Sequence, residues 1–134
     1  MKIGFTLKPN NGNILDFEKQ LNDLEEIGAS SAEIPLYELD VISGKKIIKD
    51  ELNLLNKTIH NSSLQFSIHG SMSVNLLDEE YLSDHLDVLR KEIEVCSALN
   101  VNVLVTHFGH TPIEVSKNHK KYKDLINIQN EEYF

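Results

Sequence analysis

At 134 residues the chain has room for one domain with a real hydrophobic core and none for a second. Its 13 Lys and Arg against 21 Asp and Glu give a formal charge of -8, which argues against unspecific grip on a nucleic-acid backbone; the one basic cluster, Lys117, Lys120, Lys121 and Lys123, reads as a solvated helix face. A lone cysteine excludes an internal disulfide, no apolar run approaches the roughly eighteen residues of a membrane span, and no secretory signal pattern opens the sequence, so a cytoplasmic protein without a membrane anchor is expected.

Lys2-Ile3-Gly4-Phe5-Thr6-Leu7 reads as a short strand, and Lys8-Pro9-Asn10-Asn11-Gly12-Asn13 as the turn that follows it. Ile14, Phe17, Leu21, Leu24 and Ile27 then recur at helical spacing, with Gly28 where a helix ends. Ala32-Glu33-Ile34-Pro35-Leu36 is the second strand, its proline marking the end, and Ile48, Leu52, Leu55 and Ile59 stripe a helix from about Ser43 to Asn61. The third unit is a strand from Leu64 to His69, then a long helix ending near Asn100 with Leu82, Leu86, Leu89, Ile93 and Cys96 on its apolar side. Cys96 on that stripe reads as a small core residue. Val101 to His107 is the fourth strand, followed by a polar stretch and a weaker helical pattern around Tyr122, Leu125 and Ile128.

Strand–helix units in series imply a parallel α/β sheet, because each strand needs a crossover before the next can run the same way. The strands begin near residues 2, 32, 64 and 101. Continued to eight units, that repeat would close a barrel of about 250 residues. The expected fold is therefore a parallel (βα) repeat, the first four units of a TIM-type barrel, with residues 1–134 as a single domain that stops at the half barrel. An open doubly wound sheet is the geometric alternative, but the first loop has a single glycine and no phosphate-binding spacing.

Ligands of parallel α/β folds gather outside the carboxyl ends of the strands, and two histidines stand there, His69 and His107. A neutral imidazole offers one nitrogen lone pair to a divalent ion or a hydroxyl, while its other nitrogen is held by a neighbouring group. Glu33 is costly inside a strand unless it is paired or reaches the same site. Asn75 suits a loop held by side-chain bonds to backbone, and Gly109 suits a tight turn. His60, His85 and His119 read as solvated.

The run Ser67-Ile68-His69-Gly70-Ser71-Met72-Ser73-Val74-Asn75-Leu76 is a strand ending in His, small residues and an Asn-Leu pair. About forty residues on, Val105-Thr106-His107-Phe108-Gly109-His110 is a strand ending in His-x-Gly. On these motifs, over roughly residues 2–111, the chain resembles the xylose-isomerase-like barrel superfamily, which includes sugar isomerases and epimerases and the endonuclease IV group of DNA-repair enzymes. The resemblance implies metal-dependent isomerisation or epimerisation of a sugar or sugar phosphate, in which a carboxylate removes a proton beside a carbonyl and a divalent ion stabilises the enediolate. It implies His69 and His107 as ligands of metal or substrate, and Glu33, Asn75 and His110 as further substrate contacts. The ion would be zinc, manganese or magnesium.

Nothing in the 134 residues matches the proton-abstracting glutamate of that family, so no catalytic residue is assigned and the chain alone is expected to be inactive and to bind metal weakly or not at all. The endonuclease branch would place zinc on the same two histidines and needs a basic, aromatic second loop. Tyr37-Glu38-Leu39-Asp40 is acidic instead, and Met72 and Ser73 stand where bulky DNA-wedging side chains would be. A non-catalytic ligand-binding or interaction module is the third reading. Ile3, Phe5, Val103 and Val105 on unpaired edge strands imply a homodimer, or a second chain that supplies the remaining strands.

Overall fold

Short strands alternate with amphipathic helices along the chain: β1 (Gly4–Thr6), α1 (Asp16–Glu26), β2 (Ser31–Pro35), a 3-10 turn (Leu36–Glu38), β3 (Ile42–Ser43), β4 (Lys46–Ile47), α2 (Lys49–His60), β5 (Gln65–His69), α3 (Leu82–Ala98) and β6 (Leu104–Val105). The structure, a computed structural model, describes residues 3–109; the expected fourth helix, His110, His119 and the lysine cluster lie outside the described residues. Four strands form a parallel sheet in the order β1-β2-β5-β6, and β3 pairs with β4 in a small separate hairpin. The expected parallel α/β architecture is present.

Strand order follows chain order without reversal, so successive right-handed crossovers lay their helices on the same side of the sheet. Burial agrees. Ala32, Ile34 and Ile68 alternate into one core with Phe17 and Leu21 of α1, Leu55 and Ile59 of α2, and Val95, Cys96 and Leu99 of α3 and its cap. The opposite set of strand residues, Thr6, Ser31, Glu33, Ser67 and His69, stays partly or fully open to solvent. Period-two alternation has thus divided the sheet into a helix-covered apolar face and a polar face.

Helix ends obey backbone chemistry. Gly28 adopts a φ of +76° just past α1, and its N–H and that of Ala29 donate to the carbonyls of Glu25 and Leu24. Asn100, with a φ of +53°, closes α3 in the same way through bonds from Asn100 and Val101 to Ser97 and Cys96. Both satisfy carbonyls that the helix itself leaves unpaired.

Three expectations need correction. The second helix starts at Lys49 rather than near Ser43, because Gly44 and Lys45 both take positive φ and form the two-residue turn of the β3–β4 hairpin. Val41 and Ile48 are joined by a backbone hydrogen bond at the base of that hairpin, so Ile48 caps the helix instead of striping it. Ile27 and Ile93 point outward, at 68% and 53% exposure, and Glu92 takes the inward place on α3. The fourth strand is Leu104–Val105 alone, which leaves His107 two residues beyond its end. Among the described residues no helix is long and apolar enough to cross a membrane.

Ile68 is wholly buried between β2 and β6, paired with Ile34 and Leu104. Ile68→Ala is expected to lower unfolding free energy by about 2–5 kcal/mol in a urea titration, and a loss below about 1 kcal/mol would contradict this packing.

Candidate functional site

The polar face of the sheet carries a continuous line of side chains near the carboxyl ends of the strands. Parallel register sets Thr6 of β1 beside Glu33 of β2, and sets Pro35, His69 and Val105 in one row. Glu33 lies between Ala32 and Ile34, both buried, so it must project from the opposite face. Its Oε1 accepts from Thr6 Oγ1 at 3.1 Å and lies 3.2 Å from His69 Nδ1. His69 Nε2 lies 3.1 Å from His107 Nε2, and the two rings stack with centroids 5.3 Å apart and planes 28° apart. The structure therefore brings three of the expected residues, Glu33, His69 and His107, into one linked group.

Proton placement follows from the partners. A carboxylate oxygen can only accept, so the His69 proton belongs on Nδ1, which donates to Glu33, and its Nε2 presents a lone pair toward His107. Two lone pairs cannot face each other unshielded at 3.1 Å. Either His107 Nε2 donates a proton into the gap, or a cation occupies it.

Tyr37, in the 3-10 turn after β2, sets its ring edge-on to His69 at 5.3 Å and 75°. Burial, then the charge of Glu38 and the hydrogen bond to its side chain, raises the Tyr37 phenol above its ordinary pKa, so it stays protonated at neutral pH. Asn75 lies in the loop facing Gly109. Its Oδ1 accepts from Leu77 N–H at 3.2 Å, and Leu76 N–H donates to the Phe108 carbonyl at 3.1 Å, which ties the loop after β5 to the one after β6. Gly109 has a φ of +103°, and a Cβ there would fall 1.9 Å from Asn75 Oδ1, so the loop contact needs glycine on both counts.

Among the described residues no group of three or more His, Cys, Asp or Glu side chains is arranged to hold a metal ion. His69 and His107 are a pair of nitrogen donors, with Glu33 behind one of them. His110, the remaining expected contact, lies outside the described residues. Comparison with protein-family models, with curated proteins and with solved structures found no match to this chain.

Thr6, Tyr37 and Glu92 belong to the neighbourhood of the site but did not stand out in the sequence. Thr6 and Tyr37 could have been found from strand ends alone, being the last residue of β1 and the second residue after β2. Glu92 could have been found because Val88, Glu92, Val95 and Leu99 repeat at helical spacing as regularly as the apolar stripe does. It is 1% exposed, and its Oε1 accepts from Ser71 N–H at 2.5 Å, two residues after His69.

Burial raises the Glu92 carboxyl above its ordinary value of 4.5, against a smaller opposing effect of the hydrogen bond from Ser71. A raised carboxyl pKa means that the native state prefers the neutral acid. Its stabilising contribution is complete below pH 4.5 and is lost as pH rises through the elevated value. Relative to Glu92→Gln, the native chain should therefore gain stability as pH falls from neutral toward 4.5, as read from urea midpoints. Parallel pH profiles for the two proteins would show an ordinary carboxyl.

Proposed function

We propose that this chain contributes the first four units of a parallel (βα)8 barrel, and that its carboxyl-end face serves metal-dependent isomerisation or epimerisation of a sugar or sugar phosphate. One observation carries the reading: His69 Nε2 and His107 Nε2 meet at 3.1 Å while a carboxylate holds the far nitrogen of His69. Nitrogens bound to one tetrahedral ion at the usual bond lengths lie about 3.3 Å apart, so the pair is spaced as two ligands of a shared ion. A carboxylate on the other ring nitrogen is the common support of metal-bound imidazoles, since it fixes the tautomer and raises ligand basicity. Unreversed strand order and a helix-free polar face support the barrel reading, in which that face lines the barrel interior.

A bound divalent ion would polarise a substrate carbonyl and stabilise the developing enediolate. The chain's own part is to hold and orient. His69 and His107 supply two donors, and Glu33 keeps the His69 lone pair directed at the gap. Proton abstraction and the remaining ligands would fall to strands five to eight of the barrel. Glu38 and Asp40, both exposed beside Tyr37, weigh against a DNA substrate.

Calorimetric titration of the chain with zinc and with manganese tests the metal reading. Binding weaker than about 1 µM is expected, because two imidazoles fall short of the three or four protein ligands of a full site. His69→Ala and His107→Ala should abolish it, and Glu33→Ala should weaken it by about 10–100-fold. Submicromolar binding of a full equivalent would reveal ligands beyond this pair, and a titration unaffected by either histidine substitution would remove the proposal.

The barrel reading has its own check in the mass in solution. Phe5 on β1 and Val103 and Val105 at β6 are exposed apolar residues on the outermost strands of the sheet, and association through them is expected to raise the mass above 15.3 kDa at micromolar concentration. A 15.3 kDa species independent of concentration in light scattering would exclude self-completion of the barrel.

A further inference from the structure

Glu92 is the one fully buried charged side chain among the described residues, and it sits on α3, outside the line of polar groups on the sheet. An apolar side chain would fill that place on the helix at lower cost, since a carboxyl removed from water needs partners for both oxygens. Oε1 has one, the Ser71 N–H; Oε2 has none among the described residues. Oε2 instead occupies the space where a side chain on residue 70 would stand, because a Cβ on Gly70 would lie 2.5 Å from it and 2.8 Å from the carboxyl carbon. Gly70 does not take a positive φ, so the position demands small size and not unusual backbone geometry. On its other side the Gly70 N–H donates to the Val105 carbonyl of β6 at 2.9 Å.

The peptides at Gly70 and Ser71 are thus gripped from two directions, by the sheet through Val105 and by the helical layer through Glu92. They follow His69 directly, and Val105 lies two residues before His107. We infer that Glu92 is a positioning residue: by clamping the Ser71 amide against a side-chain-free Gly70, it fixes the turn that aims His69 Nε2 at His107 Nε2. The inference rests on the pairing of the two imidazoles and not on the identity of any metal or sugar, so it stands or falls separately from the proposed activity.

The test is the tautomer of the His69 ring, read from long-range proton–nitrogen correlation spectra of the metal-free chain at one neutral pH. Glu92→Leu places an apolar side chain of similar size in the core and removes the acceptor for Ser71. It should fold, because the loss of an unpartnered buried oxygen offsets the loss of the acceptor for the Ser71 N–H. Its His69 nitrogen resonances should nevertheless move toward each other, the mark of mixed tautomers in a ring no longer held. Glu92→Gln retains an acceptor oxygen for Ser71 and should preserve the native ring signals. Gly70→Ala pushes the carboxyl off the amide from the opposite side and should reproduce the Leu spectrum, which keeps the test decisive if the Leu variant fails to fold. Native ring resonances in Glu92→Leu or in Gly70→Ala, or equal displacement in the Gln and Leu variants, would overturn the inference and leave Glu92 as a core residue without influence on the site.

Discussion

A strand that runs parallel to its neighbour can be reached only by a crossover, and when each new strand is added on the same side of the last, right-handed crossovers all fall on one face. The order β1-β2-β5-β6 meets that condition at every step. The division between an apolar face under three helices and a polar face without them follows from it, and so does the placement of the site. Side chains of Thr6, Glu33, His69 and His107 converge because parallel register aligns the carboxyl ends of their strands, while residues one position away, such as Ile34 and Ile68, are committed to the core. A one-residue slip in any strand would exchange the two sets.

Within the polar face, Glu33 is held by hydrogen bonding and not by an opposite charge. Two donors, Thr6 and His69, converge on one of its oxygens, and with a quarter of its side chain exposed, water can reach the group. That arrangement makes a carboxylate tolerable inside a strand and uses it to set a tautomer. The gap between the imidazoles then holds either one proton or one cation. Any ion bound there would require the His107 proton to sit on Nδ1, so that both Nε2 lone pairs face the gap.

The repeat of strands and helices was legible from periodicity, and so were the positions of His69, His107 and Glu33, because chemistry placed at strand ends or inside a strand contrasts with its apolar surroundings. Three features were not. The β3–β4 hairpin hides in a stretch whose apolar spacing suits a helix, and only the Gly44-Lys45 turn betrays it. The inward place of Glu92 is consistent with the helical spacing of Val88, Glu92, Val95 and Leu99, but its partner is a tertiary effect: the amide of Ser71, 21 residues away, donates to the carboxyl, and hydrophobic patterning carries no record of that bond. The third is the short fourth strand: its ladder to β5 is bounded by the bonds from the Ile68 and Gly70 N–H groups to the Val103 and Val105 carbonyls, and the apolar run from Val101 to Val105 gives no sign of that limit.

The two histidines are supported unequally. His69 ends a five-residue strand paired on both sides, its ring is bonded to Glu33 and packed by Tyr37, and the turn after it is gripped by Glu92 from the helical layer. His107 stands two residues past a two-residue strand, in a loop fixed by the Leu76–Phe108 bond and the close approach of Gly109 to Asn75. Loops shift at lower free-energy cost than paired strands, so in this pair His69 is the fixed reference and His107 the member with freedom to adjust. In the proposed metal reading, any displacement of His107 would be taken up in the contact between the loops that follow β5 and β6, and the sheet would stay undisturbed.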